Sequence, residues 1–137
     1  MKLEPYLCFY GKTEEALNFY AKALGGTFEI NRYEGSPAAE GAPPEFLQKV
    51  LHSTFTGDGF SFMASDGRPG SVPNGSQSTE ISLCLSTSDA GAGRRAFDAL
   101  AEGGTVTMPY EDAFWGGTFG MVDDRYGVSW MVMGGRG

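Results

Sequence analysis

The chain repeats itself, and an internal repeat constrains the fold more than any single motif does. Gly25-Gly26-Thr27-Phe28 recurs as Gly103-Gly104-Thr105-Val106. Phe19 and Phe97 each stand six residues before their glycine pair. Upstream lie two short apolar stretches, Leu7-Cys8-Phe9 and Leu83-Cys84-Leu85. Downstream, Gly59-Phe60-Ser61-Phe62-Met63 recurs as Gly127-Val128-Ser129-Trp130-Met131. Four matched features in one order describe a duplicated module of roughly sixty residues.

One copy reads as follows. Tyr6 to Tyr10 is aromatic and bounded by Pro5 and Gly11, which predicts a strand. Thr13 is a candidate helix cap, with Glu14 and Glu15 well placed in the first turn. Ala16, Leu17, Tyr20, Ala23 and Leu24 follow helical spacing, and Gly25 ends the helix. Thr27 to Tyr33 predicts a second strand. Residues 34–45 hold three Pro and two Gly and read as a loop. Lys49 to Phe55 predicts a third strand, Gly57-Asp58-Gly59 a hairpin turn, and Phe60 to Ala64 a fourth strand.

The second copy repeats the βαβββ order. Strands are predicted over Ile81 to Leu85, Thr105 to Met108, Thr118 to Val122 and Val128 to Met133. Asp89 caps a helix running to about Ala101. Module one spans 1–66, a Gly- and Pro-rich linker 67–78, and module two 79–137. The expected fold is one α+β domain. Its two modules build a curved, mainly antiparallel sheet around a cleft, with the helices outside, because each half-open sheet needs cover for one face.

Composition excludes several classes of function. The chain has 137 residues, 41% of them hydrophobic and 20% charged, which suits a packed core. Ten Lys and Arg against seventeen Asp and Glu give a net charge of −7, with no basic cluster, so nucleic acid is not an expected partner. An acidic surface favours cationic ligands modestly. No apolar run approaches a membrane span, and MKLEPYL lacks a signal-peptide core, so the expectation is a cytoplasmic protein without a membrane partner. Two cysteines are too few for a disulfide framework or a cysteine-based metal site.

The double βαβββ pattern resembles the vicinal oxygen chelate superfamily of glyoxalase I, extradiol dioxygenases, and fosfomycin and bleomycin resistance proteins. Glu15-Ala16-Leu17-Asn18-Phe19-Tyr20 with Leu24-Gly25-Gly26 is similar to its first helix. Trp115-Gly116, Phe119-Gly120, Asp124, Gly127 and Trp130 resemble its closing strand pair. Within it the chain is most similar to the PhnB-like branch, through Pro5-Tyr6-Leu7, His52, Met63 to Asp66, and Trp115-Gly116 through Trp130-Met131. Members of that branch often carry a demethylubiquinone methyltransferase label. The resemblance implies a homodimer.

Enzymes of the superfamily hold a divalent metal with His, Gln or Glu from four strands. Carried over, those positions fall at Pro5, Met63, near Ser82, and at Met131. None suits a hard or borderline divalent ion. The expectation is therefore no metal and no cofactor.

The other candidates each have two readings. His52, the only histidine, can serve as a base or bind a substrate oxygen, or be a hydrogen-bonded structural residue. The copies align it with Gly120. Cys8 and Cys84 sit at matched places and can be nucleophiles or small buried hydrophobes. Alternation groups Tyr6, Cys8 and Tyr10 against Leu7 and Phe9, and Ser82, Cys84 and Ser86 against Leu83 and Leu85. These faces are taken to disagree between copies. Trp115 and Phe119 are candidates to line a pocket, and Trp130 to pack on a helix. Gly91-Ala92-Gly93-Arg94-Arg95-Ala96 matches a dinucleotide-loop pattern, but Thr87 to Ala90 separate it from the strand, and the parallel βαβ units that such a loop needs are missing.

The resulting expectation is a small organic molecule bound in a pocket that includes His52, Met63, Ser82, Trp115, Phe119 and Met131. The alternative is a lyase, isomerase or dioxygenase-type enzyme with a metal at altered ligands. Methyl transfer is not expected.

Overall fold

The structure is a computed structural model that describes residues 3–70, 82–113 and 116–135. It divides into two compact units, Met1–Gly75 and Ser76–Gly137. In the first, β1 (Tyr6–Cys8) leads into α1 (Thr13–Leu24), followed by β2 (Thr27–Arg32), β3 (Val50–Gly57) and β4 (Phe60–Ser65). In the second, β5 (Leu83–Ser86) leads into α2 (Ala90–Ala101), followed by β6 (Thr105–Asp112), β7 (Thr118–Asp123) and β8 (Ser129–Gly134). The strand orders are β1-β4-β3-β2 and β5-β8-β7-β6, the same topology twice. In each open sheet the first and last strands of the unit pair in parallel, and the other two pairings are antiparallel. The α+β, twice-repeated βαβββ expectation is met.

Each sheet has one face on its helix. In the first unit Ala16, Leu17 and Tyr20 of α1 are buried, as are Phe55, Phe62 and Ala64 of the sheet. Tyr20 meets Phe62 edge-on at 5.8 Å, and Phe62 stacks on Phe55 at 4.9 Å. In the second unit Phe97 and Leu100 of α2 are buried, with Val122, Trp130 and Val132. Trp130 lies on the helix side as expected, and its indole N–H donates to Asp124 at 2.8 Å.

The repeated Gly-Gly-Thr has a steric cause. Thr27 pairs with Thr56, and Thr105 with Asp123. A Cβ on Gly26 would stand 2.6 Å from the Thr56 carbonyl oxygen. One on Gly104 would strike the Asp123 carbonyl oxygen and stand 3.0 Å from the Asp124 Cα. In both units the chain leaving the helix is pressed against the backbone of the following hairpin, so no side chain fits.

Three local expectations change. Thr13 is the first residue of α1 and not its cap; its backbone N–H and its hydroxyl both donate to Asp66 Oδ1, at 2.9 and 2.5 Å. Asp89 does cap α2, accepting from Gly91 N–H at 2.9 Å. β6 runs to Asp112, past the expected end at Met108, and carries two register shifts. The 34–45 segment holds short 3-10 turns at Pro37–Gly41 and Pro44–Phe46. Of the linker expected over 67–78, residues 71–78 lie outside the described residues.

Tyr33, just past β2, is buried against Phe46, and its hydroxyl donates to the Gly67 carbonyl at 2.8 Å. Burial pushes its phenol above the ordinary value of 10.0. A group whose folded pKa is raised stabilises the fold fully below its unfolded pKa and loses that contribution as pH rises through the folded one. Alkaline titration followed by phenolate absorbance should therefore show Tyr33 ionising after the exposed tyrosines, with Tyr33→Phe removing that late component.

Candidate functional site

The face of each sheet away from its helix is open, and the pairing register fixes which side chains stand on it. In-register partners point to the same face, and neighbours along a strand alternate. In the first unit Tyr6 pairs with Met63, Met63 with Thr54, and Thr54 with Glu29. These four make one row across the open face. His52, two residues before Thr54 on β3, stands on the same face, paired with Asn31. Cys8 pairs with Ser65. The Tyr6 hydroxyl and His52 Nδ1 lie 3.1 Å apart, with the rings 5.7 Å apart and tilted by 40°. β4 separates their strands, so this contact crosses over the sheet surface. It gives the only histidine a partner that residue spacing had not revealed. Tyr6 remains 52% exposed, so the pair can be reached from solvent.

In the second unit the corresponding row is Cys84, Met131, Met121 and Met108. The next row holds Ser86, Met133 and Phe119, with Glu111 opposite Phe119. A recess of about 360 Å³ is lined by Ser86, Thr87, Ser88 and Met133. Phe119, Met121, Met131 and Met133 are half-buried, and Cys84 is exposed.

The expected site residues sort accordingly. His52 and Met63 share the open face of the first sheet, and Phe119 and Met131 that of the second. Ser82 immediately precedes β5 and is half-buried, two residues upstream of Cys84 and outside its row. Trp115 lies outside the described residues. Met121 was not anticipated, and Tyr6 and Cys84 were not assigned to the pocket.

Register also corrects the alignment of the copies. Thr54 pairs with Met63 as Met121 pairs with Met131, so His52 corresponds to Phe119 and not to Gly120. Gly120 corresponds to buried Ser53 on the helix side, where a Cβ would stand 2.7 Å from Phe97 and 2.8 Å from the Tyr110 Cα. Cys84 corresponds to Tyr6, and Cys8 to Ser86. The cysteines are therefore offset by two residues. Their faces agree between copies, since both stand on open faces.

The same register tests the superfamily metal. On the first strand the neighbour of Met63 is Tyr6. Pro5, one residue away, belongs to the opposite face and offers Met63 only its carbonyl, at 2.9 Å. On the first strand of the second copy the neighbour of Met131 is Cys84, not Ser82. Tyr6, Met63, Cys84 and Met131 are a phenol, a thiol and two thioethers. They do not fit the zinc, nickel, iron or manganese of the superfamily's enzymes, which call for imidazole and carboxylate. Among the described residues no group of three or more His, Cys, Asp or Glu is placed to hold a metal.

The family described as 3-demethylubiquinone-9 3-methyltransferase matches residues 1–133. The chain belongs to that family. It is the PhnB-like family, and its fold is that of a glyoxalase/bleomycin resistance protein/dioxygenase superfamily member from Sphaerobacter thermophilus, with a TM-score of 0.59 at 19% identity over 98% of each chain. The chain is 31% identical to the protein YjdN of Escherichia coli, over 96% of this chain and 94% of that one. It is similar to the solved structure of PA1353 from Pseudomonas aeruginosa, with a TM-score of 0.85 and 36% identity over 100% of this chain and 99% of that one. It is also similar to the PhnB protein of Bacillus cereus, described as a putative 3-demethylubiquinone-9 3-methyltransferase. That likeness has a TM-score of 0.80 and 30% identity over 98% and 99% of the chains. These three relatives match along nearly their whole length. Among the described residues no helix is long and apolar enough to cross a membrane.

Proposed function

We propose that this PhnB-like chain binds a small organic molecule on its open sheet faces, without the divalent metal used by the superfamily's enzymes. One observation carries the reading: in register, the four metal positions hold Tyr6, Met63, Cys84 and Met131. A half-exposed surface of Met and aromatic side chains with a few polar groups suits an organic ligand. His52 and Met63 offer hydrogen-bonding and apolar contacts on the open face of the first sheet, and Phe119 and Met131 apolar contacts on that of the second. The Tyr6–His52 pair offers a hydroxyl and a ring nitrogen to a polar group of the ligand. The net charge of −7 favours a ligand that carries positive charge. The reading includes a cytoplasmic homodimer.

Methyl transfer, despite the family's description, has little to support it. The dinucleotide-type glycines are accounted for by packing. Gly93 is buried inside α2, where a Cβ would strike the Tyr110 hydroxyl, and Gly91 N–H is taken by the Asp89 cap. Elemental analysis of freshly purified protein tests the main reading. Zinc, nickel, iron and manganese should be far below stoichiometric, and S-adenosylmethionine should not bind at micromolar concentration. A stoichiometric metal of that group whose removal abolishes a measured activity would replace the reading with an enzymatic one.

A further inference from the structure

Sulfur is concentrated on one face of the second sheet. Cys84, Met131, Met121 and Met108 form one continuous row across all four strands, and Met133 stands one pair further along β8. Four of the chain's six methionines therefore lie in this single sheet. The duplication does not account for this. The matched row of the first sheet is Tyr6, Met63, Thr54 and Glu29, with one sulfur. Nor does core packing, because Cys84 is exposed and Met108 is 45% exposed.

We infer that this face is a binding site for one copper(I) ion, held by the sulfurs of Cys84, Met131 and Met121. Thiolate and thioether are the ligands that select this soft ion over zinc, magnesium or calcium. The geometry allows three of them to converge. Adjacent strands lie about 4.8 Å apart, so Cys84 and Met121 flank Met131 at roughly 10 Å from one another. Methionine has three rotatable bonds and can bend its sulfur toward either neighbour. Met108 lies one strand too far to join the same ion. No change of oxidation state is involved. Cu⁺ enters, the Cys84 thiol proton leaves to solvent, and a Cu–S bond replaces the S–H bond. The site shares Met131 with the proposed ligand face, and copper(I) binding is read with the metal alone.

The test is an anaerobic titration of the reduced, metal-free full chain with copper(I) in competition with a chromophoric chelator. The chain should withhold one equivalent. Cys84→Ser and Met131→Leu should each weaken binding at least about tenfold. Cys8→Ser, on the first sheet, should leave it unchanged. X-ray absorption of the loaded wild-type chain should show sulfur neighbours only, a readout that does not depend on how the variants fold. The inference is overturned if the wild type withholds no copper(I), or if the Cys84→Ser, Met131→Leu double variant binds as the wild type does. It is equally overturned if Cys8→Ser abolishes binding, or if the copper shell is nitrogen and oxygen.

Discussion

Asp66→Ala should destabilise the first unit by about 4 kcal/mol, read as a fall in the urea midpoint at unchanged slope. The Asp66 carboxylate is buried, 3% exposed, and accepts from four donors. Gly11 N–H, Thr13 N–H and the Thr13 hydroxyl converge on Oδ1, and Val50 N–H reaches Oδ2 at 2.8 Å. It thus supplies the missing cap of α1 from more than fifty residues away and pins the start of β3 to the end of β4. Alanine would leave these donors unpaired, each at a cost of about 1–3 kcal/mol, less what entering water restores at the partly exposed Gly11. Asp66→Asn keeps the shape but turns one acceptor into a donor facing another donor, and about 2 kcal/mol is expected. A loss under about 1 kcal/mol for alanine would show that the carboxylate is not what holds this corner. The corner matters for the site, because it sits at the end of the strand pair that carries Tyr6 and Met63.

The second large effect is predicted at the repeat itself. Gly104→Ala should cost about 3 kcal/mol, and Gly26→Ala at least as much, since overpacking against backbone cannot be relieved by a rotamer change. Gly26 adds a φ of +136°, outside the regions open to alanine. Gly59→Ala is the control. Its φ is +84°, but nothing lies within 4 Å of its would-be Cβ, so only the backbone penalty of about 1 kcal/mol remains. Thermal or urea unfolding of the three variants separates the explanations. A loss at Gly104 no larger than that at Gly59 would show that close approach to the hairpin backbone does not account for the recurring glycine.

The duplication, the element order and the family were all legible in the amino-acid sequence. They rest on short-range signals: glycine pairs that end helices, turn residues, and apolar periodicity. The alternation of Tyr6, Cys8 and Tyr10 against Leu7 and Phe9 identified the two faces of β1 correctly. It did not say how far β1 slides along β4. A shift of two residues leaves every side chain on its face and alters only its neighbours. That is why Ser82 stood where Cys84 belongs and why the Cys84–Met131–Met121 row went unseen, whereas Pro5 for Tyr6 and Gly120 for Phe119 are single-residue errors, which put the residue on the opposite face.

The sequence by itself determined that two βαβββ units form. The tertiary structure alone decided which residues stand side by side on the open faces, and that Asp66, assigned by its position to the edge of a linker, belongs to the interior. The reason is physical. Local spacing settles the periodicity of each strand, but register between strands distant in the chain is set by packing against the helix and by hydrogen bonds such as those of Asp66, whose partners Gly11 and Thr13 lie 55 and 53 residues away.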